Sequence, residues 1–472
     1  MSTPERPAVL DAARYIASLI AYRQQHDRVP GIQAAMLHDD DVVLDAAVGL
    51  ADVESATPMT TAHRFRIASH SKTFTATAVV QLAERGVLRL DDPVGRWIDE
   101  LAAAPVAHVT LRELLAHGSG VVRDGWDGDF WQLYRAFPDG AGLLAVASDE
   151  ATVLGRNERF KYSNVGYSLL GCVIERATGS PYHEHVRAAL LGPLELSSTT
   201  PDIDPAAAGD HATGYSAFAY ADHRLPIDHI ATGAMASATG FSSTATDLAR
   251  WAAAHFLGDT RVLSDDGKRQ MQRTEWTVEG AASSYGLGLA IAEPGGRRVL
   301  GHGGGFPGFI TQTWFDPVGR FAVAVLTNAI DGPAEPLATA AVRITDLALR
   351  PPEGHTASER VQRFCGRFAT LWGVADVVGL ADRLYLLEPL AVDPVAEPHH
   401  LRVVDDRTLL ITRAPGYRSP GERLEYDWAD DGSVRSLRGG SGATWYPLDA
   451  FTSAVEPRQR IALGDPLRPP AL

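Results

Sequence analysis

A change of pattern near residue 351 most limits how this chain of 472 residues can fold. Up to that point, periodic apolar stretches predict helices and strands in mixed order. Pro351-Pro352-Glu353-Gly354 then interrupts the pattern, and the runs that follow are short, apolar and separated by Asp, Gly and Pro, which is typical of antiparallel strands. We therefore expect two domains, 1–350 and 358–472, joined by a linker at 351–357.

Apolar periodicity places the elements of both regions. Predicted helices cover 8–26, 69–84, 111–117, 139–148, 164–178, 248–256 (which Asp247 could start) and 334–349. Predicted strands cover 32–37, 42–50, 286–291, 298–301, 309–315 and 321–327 in the first region, and 383–387, 401–404, 408–412, 423–428 and 434–437 in the second. The second region therefore predicts a separate antiparallel β domain.

Charge and composition exclude several classes of protein. The 43 Lys and Arg residues against 58 Asp and Glu residues give a net charge of −15, so we expect no nucleic acid as a partner. Cys172 and Cys365 are too far apart in the sequence to indicate a disulfide framework or a thiolate metal site. We recognise neither an export signal nor an apolar run of membrane-spanning length, so we expect a cytoplasmic protein with no membrane partner.

Lysine is rare, since Lys72, Lys161 and Lys268 stand against 40 arginines. A lysine retained in such a chain indicates a task that arginine cannot perform, because a desolvated lysine can lose its proton whereas arginine stays charged. Lys72 follows Ser69 at the i+3 position, so the two side chains share one face of the predicted helix. A neutral amine can activate a serine hydroxyl, and a helix N-terminus favours the oxyanion that forms. The alternative is an N-cap serine followed by a solvent-facing lysine.

Two further motifs carry polar groups suited to the same chemistry. In Tyr162-Ser163-Asn164, at a predicted loop-to-helix junction, the tyrosine can relay a proton and the asparagine can hold a lysine or a substrate carbonyl. Gly301-His302-Gly303-Gly304-Gly305 lies at a predicted strand end, where the missing side chains let a substrate approach the backbone. The alternatives are a capping asparagine beside a packed tyrosine, and a tight turn with a hydrogen-bonded histidine.

The order and separation of these three motifs resemble those of the penicillin-binding-protein and class C β-lactamase-like family of serine hydrolases. The run from Phe65 to Thr75 is similar to the nucleophile segment of that family, and the stretches 114–120, 240–248, 285–288 and 326–328 also resemble it. The resemblance covers about residues 8–349 and implies an α/β (α+β) fold, an antiparallel sheet flanked by helices with an all-helical subdomain. The segment 358–472 resembles the lipocalin-like β-barrel appended to some members.

The resemblance also implies roles for individual residues. Ser69 would be the acylated nucleophile and Lys72 its activating base, with Tyr162 as the proton relay. Asn164 would position Lys72 and the substrate carbonyl. The main-chain N–H groups of Ser69 and Gly305 would form the oxyanion hole. Which of Lys72 and Tyr162 accepts the first proton stays open at this point.

His302 departs from the pattern of the β-lactamases and transpeptidases in this family, which usually have a lysine there. That lysine helps to bind the carboxylate of β-lactams and D-Ala-D-Ala peptides, whereas a histidine is mostly neutral at pH 7. A histidine at this position makes β-lactam hydrolysis a weaker expectation. In this respect the sequence resembles the D-aminopeptidase, esterase and peptide-cyclising thioesterase branches of the family.

Other polar groups give one more candidate region. Asp124, Trp126 and Asp127 lie in an acidic, aromatic loop that could receive a substrate amine, and Gly303 and Gly304 are expected to contact the substrate. The alternative for the loop is a solvated acidic surface with packed tryptophans. His183 and His185 are at i and i+2 of a predicted helix and do not share a face, so we expect no metal pair there and no metal ion elsewhere. We also expect no cofactor.

Three functions from different classes remain. The first is an acyl-transfer enzyme that hydrolyses amides or esters of D-residue-containing peptides or related small substrates. The second is a thioesterase-type cyclase, in which the amine of a peptide, delivered on a carrier protein, resolves the acyl-enzyme and closes a ring. A non-catalytic penicillin-binding sensor is the third, and it is disfavoured because the whole catalytic set is present. The sequence leaves the oligomeric state open.

Overall fold

The computed structural model describes residues 5–149, 151–203, 209–350, 361–416, 419–440 and 442–451. These residues divide into two compact units, one of residues 20–342 and one that joins residues before 20 to those from 343 onward. The expected linker at 351–357 lies outside the described residues, so the domain boundaries stay a prediction. No helix among the described residues combines the length and apolar character that crossing a membrane requires.

Helices and strands alternate through the first three quarters of the chain, and strands alone fill most of the rest. The helices are α1 Glu5–His26, α2 Ser71–Glu84, α3 Leu111–Leu115, α4 Gly140–Asp149, α5 Asn164–Thr178, α6 Tyr182–Val186, α7 Ala236–Thr239, α8 Ala245–Ala253, α9 Asp265–Gln272 and α10 Ala334–Leu349. The first strands are β1 Gly31–His38, β2 Asp41–Asp52, β3 Thr57–Pro58, β4 Phe65–Arg66, β5 Gly214–Tyr215, β6 Pro226–Ile227, β7 Ser242–Ser243, β8 Trp276–Thr277, β9 Ser283–Tyr285, β10 Ala290–Ala292, β11 Val299–Phe306, β12 Phe309–Asp316 and β13 Phe321–Thr327. The later strands are β14 Gly366–Thr370, β15 Gly373–Leu380, β16 Arg383–Leu387, β17 His399–Val403, β18 Thr408–Arg413, β19 Arg423–Trp428, β20 Val434–Arg438 and β21 Thr444–Pro447.

An antiparallel sheet forms the centre of the first unit. In the described part of the chain it has nine strands in the order β3-β2-β1-β13-β12-β11-β10-β9-β8. Every residue of β1 and β13 is buried, because these strands lie inside the sheet and α8 packs across them. α2 packs among α5, α7 and α9, and its Phe74 ring lies 4.5 Å from Phe241 and 3.9 Å from Trp251. The predicted sheet flanked by helices is confirmed.

Several predicted elements differ from the structure in their bounds, and three of these differences have a local cause in the backbone. The predicted helix from 69 begins at Ser71, because Ala68 has a left-handed φ of 47° and a turn of 3-10 helix precedes α2. α8 begins earlier than Asp247, since Thr244 is its N-cap and accepts from Asp247 N at 3.3 Å. The strand predicted at 286–291 is interrupted between β9 and β10, where Gly288 has a φ of 75°.

The second unit contains a closed antiparallel barrel of β14 to β21, eight strands within the described residues. Apolar side chains that alternate along the strands fill it, among them Phe368, Leu386, Leu409 and Leu437. The predicted lipocalin-like barrel is confirmed. The sequence analysis missed β14, β15 and β21, in which small and polar residues weaken the alternating pattern.

Candidate active site

Ser69 lies in a short turn between β4 and α2. β4 pairs with β7, and the chain then passes through the left-handed conformation of Ala68. Such a φ costs an L-residue about 1–2 kcal/mol. Ser71 Oγ stabilises the turn by donating to Ala68 O at 2.6 Å and accepting from Phe241 N at 3.1 Å. The turn leaves Ser69 half-buried at the N-terminus of α2.

Lys72 is completely buried, and oxygen atoms surround its amine. Nζ lies 3.2 Å from Ser69 Oγ, 2.7 Å from Asn164 Oδ1 and 2.7 Å from the main-chain oxygen of Ala238. Desolvation holds the pKa of Lys72 well below its ordinary value, although the charge of Asp124 opposes the shift. A protonated amine donates to all three oxygens, whereas a neutral one donates to two and directs its lone pair at the third. The site therefore accommodates both protonation states of Lys72.

Tyr162, which lies 93 residues after Ser69 in the chain, also contacts the Ser69 hydroxyl. Its OH donates to Ser69 Oγ at 2.9 Å. His117 holds the segment before α5 in place. Lys161 N donates to the His117 carbonyl at 2.8 Å, Ser163 N donates to His117 Nδ1 at 3.2 Å, and the His117 and Tyr162 rings lie 4.3 Å apart. Burial raises the pKa of Tyr162 above its ordinary value, so the phenol is protonated at neutral pH.

Asn164 is the first residue of α5, where the side chain of the N-cap Ser163 accepts from Gly166 N at 2.8 Å. Besides accepting from Lys72, the Asn164 amide donates from Nδ2 to Asp124 Oδ1 at 2.7 Å. The structure thus brings Ser69, Lys72, Tyr162 and Asn164 into one hydrogen-bonded group.

His302 is buried in β11, beside this group. Its Nδ1 lies 2.6 Å from Gly303 O, and its Nε2 lies 3.0 Å from Tyr285 OH. Because a carbonyl can only accept, Nδ1 carries the proton and Nε2 accepts from the tyrosine. Burial, followed by the charge of Lys72, lowers the pKa of His302 to about 4. The side chain is therefore neutral at pH 7.

The glycines after His302 lie along an open edge of β11. β10 pairs with β11 as far as Gly301, and among the described strands none pairs with that edge farther on. A Cβ at Gly304 would lie 2.3 Å from Ile67 O, whereas a Cβ at Gly305 would meet no atom nearer than 3.6 Å. Gly304 therefore lets β11 approach the nucleophile turn closely, and Gly305 lies exposed beside it.

The three candidate residues of the acidic loop differ in their contacts and exposure. Asp124 joins the site through Asn164 and lies 3.3 Å from Arg123 Nε. Asp127 forms an ion pair with Arg135 instead, and Trp126 is 76% exposed. Asp124 thus contacts the predicted catalytic set directly, whereas Asp127 pairs with Arg135.

The sequence analysis assigned no role to three groups that complete the site. Ala238 contributes a main-chain oxygen, which leaves no sequence signature. His117 and Tyr285 lie inside stretches that resemble the family, and those stretches were the available signal. In the described part of the chain, no three His, Cys, Asp or Glu side chains gather as a metal site.

Comparison with known proteins matches the chain to a family. The family model described as Beta-lactamase matches residues 16–347. A D-aminopeptidase from Brucella anthropi is 29% identical over 334 residues, which are 70% of this chain and 61% of that protein. The chain thus spans about three fifths of that relative's length.

Two solved structures are similar at low identity. The octameric penicillin-binding protein homologue from Pyrococcus abyssi is 25% identical with a TM-score of 0.65, covering 92% of this chain and 99% of that one. A D-stereospecific amidohydrolase from Streptomyces sp. is 26% identical with a TM-score of 0.59, covering 67% and 94%. Since the family model spans well over half of its residues, the chain belongs to the beta-lactamase family.

Proposed function

We propose that this protein is an acyl-transfer enzyme that forms an acyl-enzyme at Ser69 and hydrolyses amide or ester bonds of small substrates containing a D-residue. One observation carries the proposal: Ser69 Oγ lies within hydrogen-bond distance of both Lys72 Nζ, at 3.2 Å, and Tyr162 OH, at 2.9 Å. The serine hydroxyl thereby has a proton acceptor and a proton donor at once, which nucleophilic catalysis requires.

Of Lys72 and Tyr162, Lys72 is the better base for the first proton transfer. Burial lowers the pKa of Lys72 and raises the pKa of Tyr162, so the amine loses its proton more readily than the phenol. Lys72 takes the Ser69 proton while Oγ bonds to the substrate carbonyl carbon. Tyr162 donates its proton to the leaving nitrogen or oxygen as that bond breaks, and Lys72 returns a proton to Tyr162. Water then cleaves the ester by the same steps in reverse.

The developing oxyanion requires donors beside Ser69. We assign them to the main-chain N–H groups of Ser69 and Gly305. The exposed position of Gly305 and the close approach that Gly304 permits support this assignment. The open edge of β11 gives an extended substrate a strand to pair with, in contact with Gly303 and Gly304.

The substrate class follows from charge and from the relatives. Neutral His302 supplies no fixed charge for a substrate carboxylate, which favours substrates with a blocked C-terminus. The D-aminopeptidase and the D-stereospecific amidohydrolase among the similar proteins favour a D-residue at the acyl position. Reception of a substrate amine by Asp124, Trp126 and Asp127 stays a prediction, as does the cytoplasmic location.

Labelling with a fluorophosphonate, followed by intact-mass and peptide analysis, tests the nucleophile. We expect one adduct, on Ser69, and none on Ser69→Ala. That variant is expected to lose activity about 10⁴-fold or more while keeping the melting temperature of the parent. An adduct elsewhere, or more than about a hundredth of the parent rate in Ser69→Ala, would reject the assignment.

Substrate pairs test the reaction. We expect D-amino-acid amides and esters to be hydrolysed faster than their L-enantiomers. A linear peptide thioester, as a surrogate for a carrier-bound peptide, distinguishes hydrolysis from ring closure by the mass of the product, since the cyclic product lacks one water. A cyclic product would replace the hydrolase assignment by the cyclase.

A further inference from the structure

The segment Val122–Asp124 runs alongside the start of α5 and is hydrogen-bonded to it at each residue. Ser163 Oγ donates to Val122 O at 2.7 Å, and Asn164 N donates to Arg123 O at 2.8 Å. At the next step, Asn164 Nδ2 donates to Asp124 Oδ1 at 2.7 Å. The loop is therefore bound through both main chain and side chain to the residue that holds Lys72.

The partners of Asn164 fix which way its amide points. On one side lies the Lys72 amine, which donates, and on the other lies the Asp124 carboxylate, which when ionised only accepts. The reverse orientation would bring the amide NH₂ against the amine and its oxygen against the carboxylate. Asp124 thus determines that Asn164 Oδ1 faces Lys72, at 2.7 Å.

The surroundings of Asp124 keep this carboxylate in place. Its side chain is 15% exposed, and Arg123 Nε lies 3.3 Å from Oδ2, the oxygen that Asn164 does not use. The Arg123 guanidinium also lies 5.1 Å from the centre of the Tyr162 ring. The Arg123–Asp124 ion pair therefore lies near Tyr162, and it reaches Lys72 through Asn164. These are the two groups that move protons in the proposed reaction.

We propose that Asp124 is a positioning residue for acylation: it acts through Asn164, whose amide it orients so that Lys72 is held against Ser69. The inference rests on the proposed function and assigns Asp124 a different part from the reception of a substrate amine. An amine receptor acts on binding of substrates that carry a free amine. A positioning residue acts on the rate of acylation of every substrate.

The experiment measures kcat and KM of Asp124→Ala for a D-amino-acid ester and for its N-acetyl derivative. We expect kcat to fall at least about tenfold for both, the value of one charge-assisted hydrogen bond, with KM changed less than about twofold. Asp124→Asn keeps the volume and one acceptor oxygen, so it should recover part of the rate. Asp91→Ala is the matched control, because Asp91 is an exposed carboxylate with an arginine, Arg112, 3.7 Å away.

A double-mutant cycle decides whether the effect passes through Asn164. In the Asn164→Ala background, Asp124→Ala should lower kcat by less than about twofold, since the amide that Asp124 orients is gone. An equal loss in both backgrounds, full activity on the N-acetyl ester, or no recovery in Asp124→Asn would each overturn the proposal. Fluorophosphonate labelling of Ser69 in the parent protein separates this outcome from failure of the proposed function, in which the parent itself would not be labelled there.

Discussion

Lys72 and Lys268, two of the three lysines of this chain, have fully buried side chains. Both donate to main-chain oxygens: Lys72 to Ala238 O at 2.7 Å, and Lys268 to Phe256 O at 2.7 Å. Lys72 differs in that its third contact is a serine hydroxyl, at 3.2 Å. Arginine would fit neither place, because its planar fork spreads its donors over a larger volume than a single amine.

Lys72→Arg therefore tests whether the site needs a removable proton or only a charge. We expect its kcat/KM to fall to within about tenfold of that of Lys72→Ala, because arginine keeps the charge but cannot act as a base and its planar fork does not fit the place of the amine. Lys161→Arg, which makes the same change outside the hydrogen-bonded group, should stay close to the parent. An active Lys72→Arg enzyme would show that Lys72 serves as a fixed cation.

His302 makes a prediction about substrate choice. The parent should prefer D-amino-acid esters and amides over nitrocefin and a D-Ala-D-Ala peptide by about tenfold or more, since one charge-assisted hydrogen bond contributes ~1.5–3 kcal/mol. His302→Lys should narrow that ratio. Because the pKa of His302 is about 4, the preference should also be constant from pH 6 to 8. The measurement is kcat/KM for each substrate on both proteins, and a parent that prefers nitrocefin would contradict it.

Among the elements, those with a strong apolar period were predicted well and those shaped by special backbone conformations were not. α5 was predicted over 164–178, the range that the structure shows, because its N-cap and its terminal Gly179 have sequence signatures. The start of α2 was misplaced by two residues. Nothing in the sequence marks Ala68 as left-handed, since alanine rarely adopts that conformation.

The same difference applies to the site. The spacing of their motifs and the family resemblance predict Ser69, Lys72, Tyr162 and Asn164 as site residues, and the structure brings the four together. The partners of these residues come from distant parts of the chain, such as the Ala238 oxygen and the Asp124 carboxylate. Long-range packing sets those contacts, so local pattern alone does not predict them.

β11 gives a prediction for two neighbouring glycines. Gly304→Ala would place a methyl group 2.3 Å from Ile67 O, so it should lower the melting temperature and abolish Ser69 labelling. In Gly305→Ala the new methyl group would lie 3.6 Å from Ile310 Cδ1, an ordinary van der Waals distance. This variant should therefore keep a melting temperature close to that of the parent. Thermal melts and fluorophosphonate labelling of both variants check this, and equal melting temperatures for the two would contradict it.

For the whole molecule, buried neutral histidines link stability to pH. Desolvation lowers the pKa of His255 and of His302 to about 4, and lowers the pKa of His70 and of His117 well below the ordinary value. The unfolded chain binds these protons near pH 6.5, whereas the folded chain binds them only at lower pH. Between those values the unfolded state holds more protons, so the free energy of unfolding rises with pH.

We therefore expect stability to fall as the pH is lowered from about 7 to 5, with each such histidine adding up to about 1.4 kcal/mol per pH unit. Urea titrations at several pH values measure the slope. His255→Gln removes one titrating group that lies outside the hydrogen-bonded group at Ser69, and should flatten the slope by that amount. A slope that is unchanged in His255→Gln would contradict the assignment.

The second unit is assembled from two distant parts of the chain. At its start, Tyr15 OH donates to the buried Asp376 at 3.1 Å, and Arg367 contacts the same carboxylate at 2.7 Å. Tyr15 and Asp376 are 361 residues apart in the chain. A ribosome that adds about 5–20 residues per second therefore completes the barrel tens of seconds after α1 has emerged. The part of α1 that belongs to this unit lacks the later residues of the unit as partners through that interval. Chaperone binding during synthesis should therefore concentrate on the first helix and end when the last strands have closed the barrel.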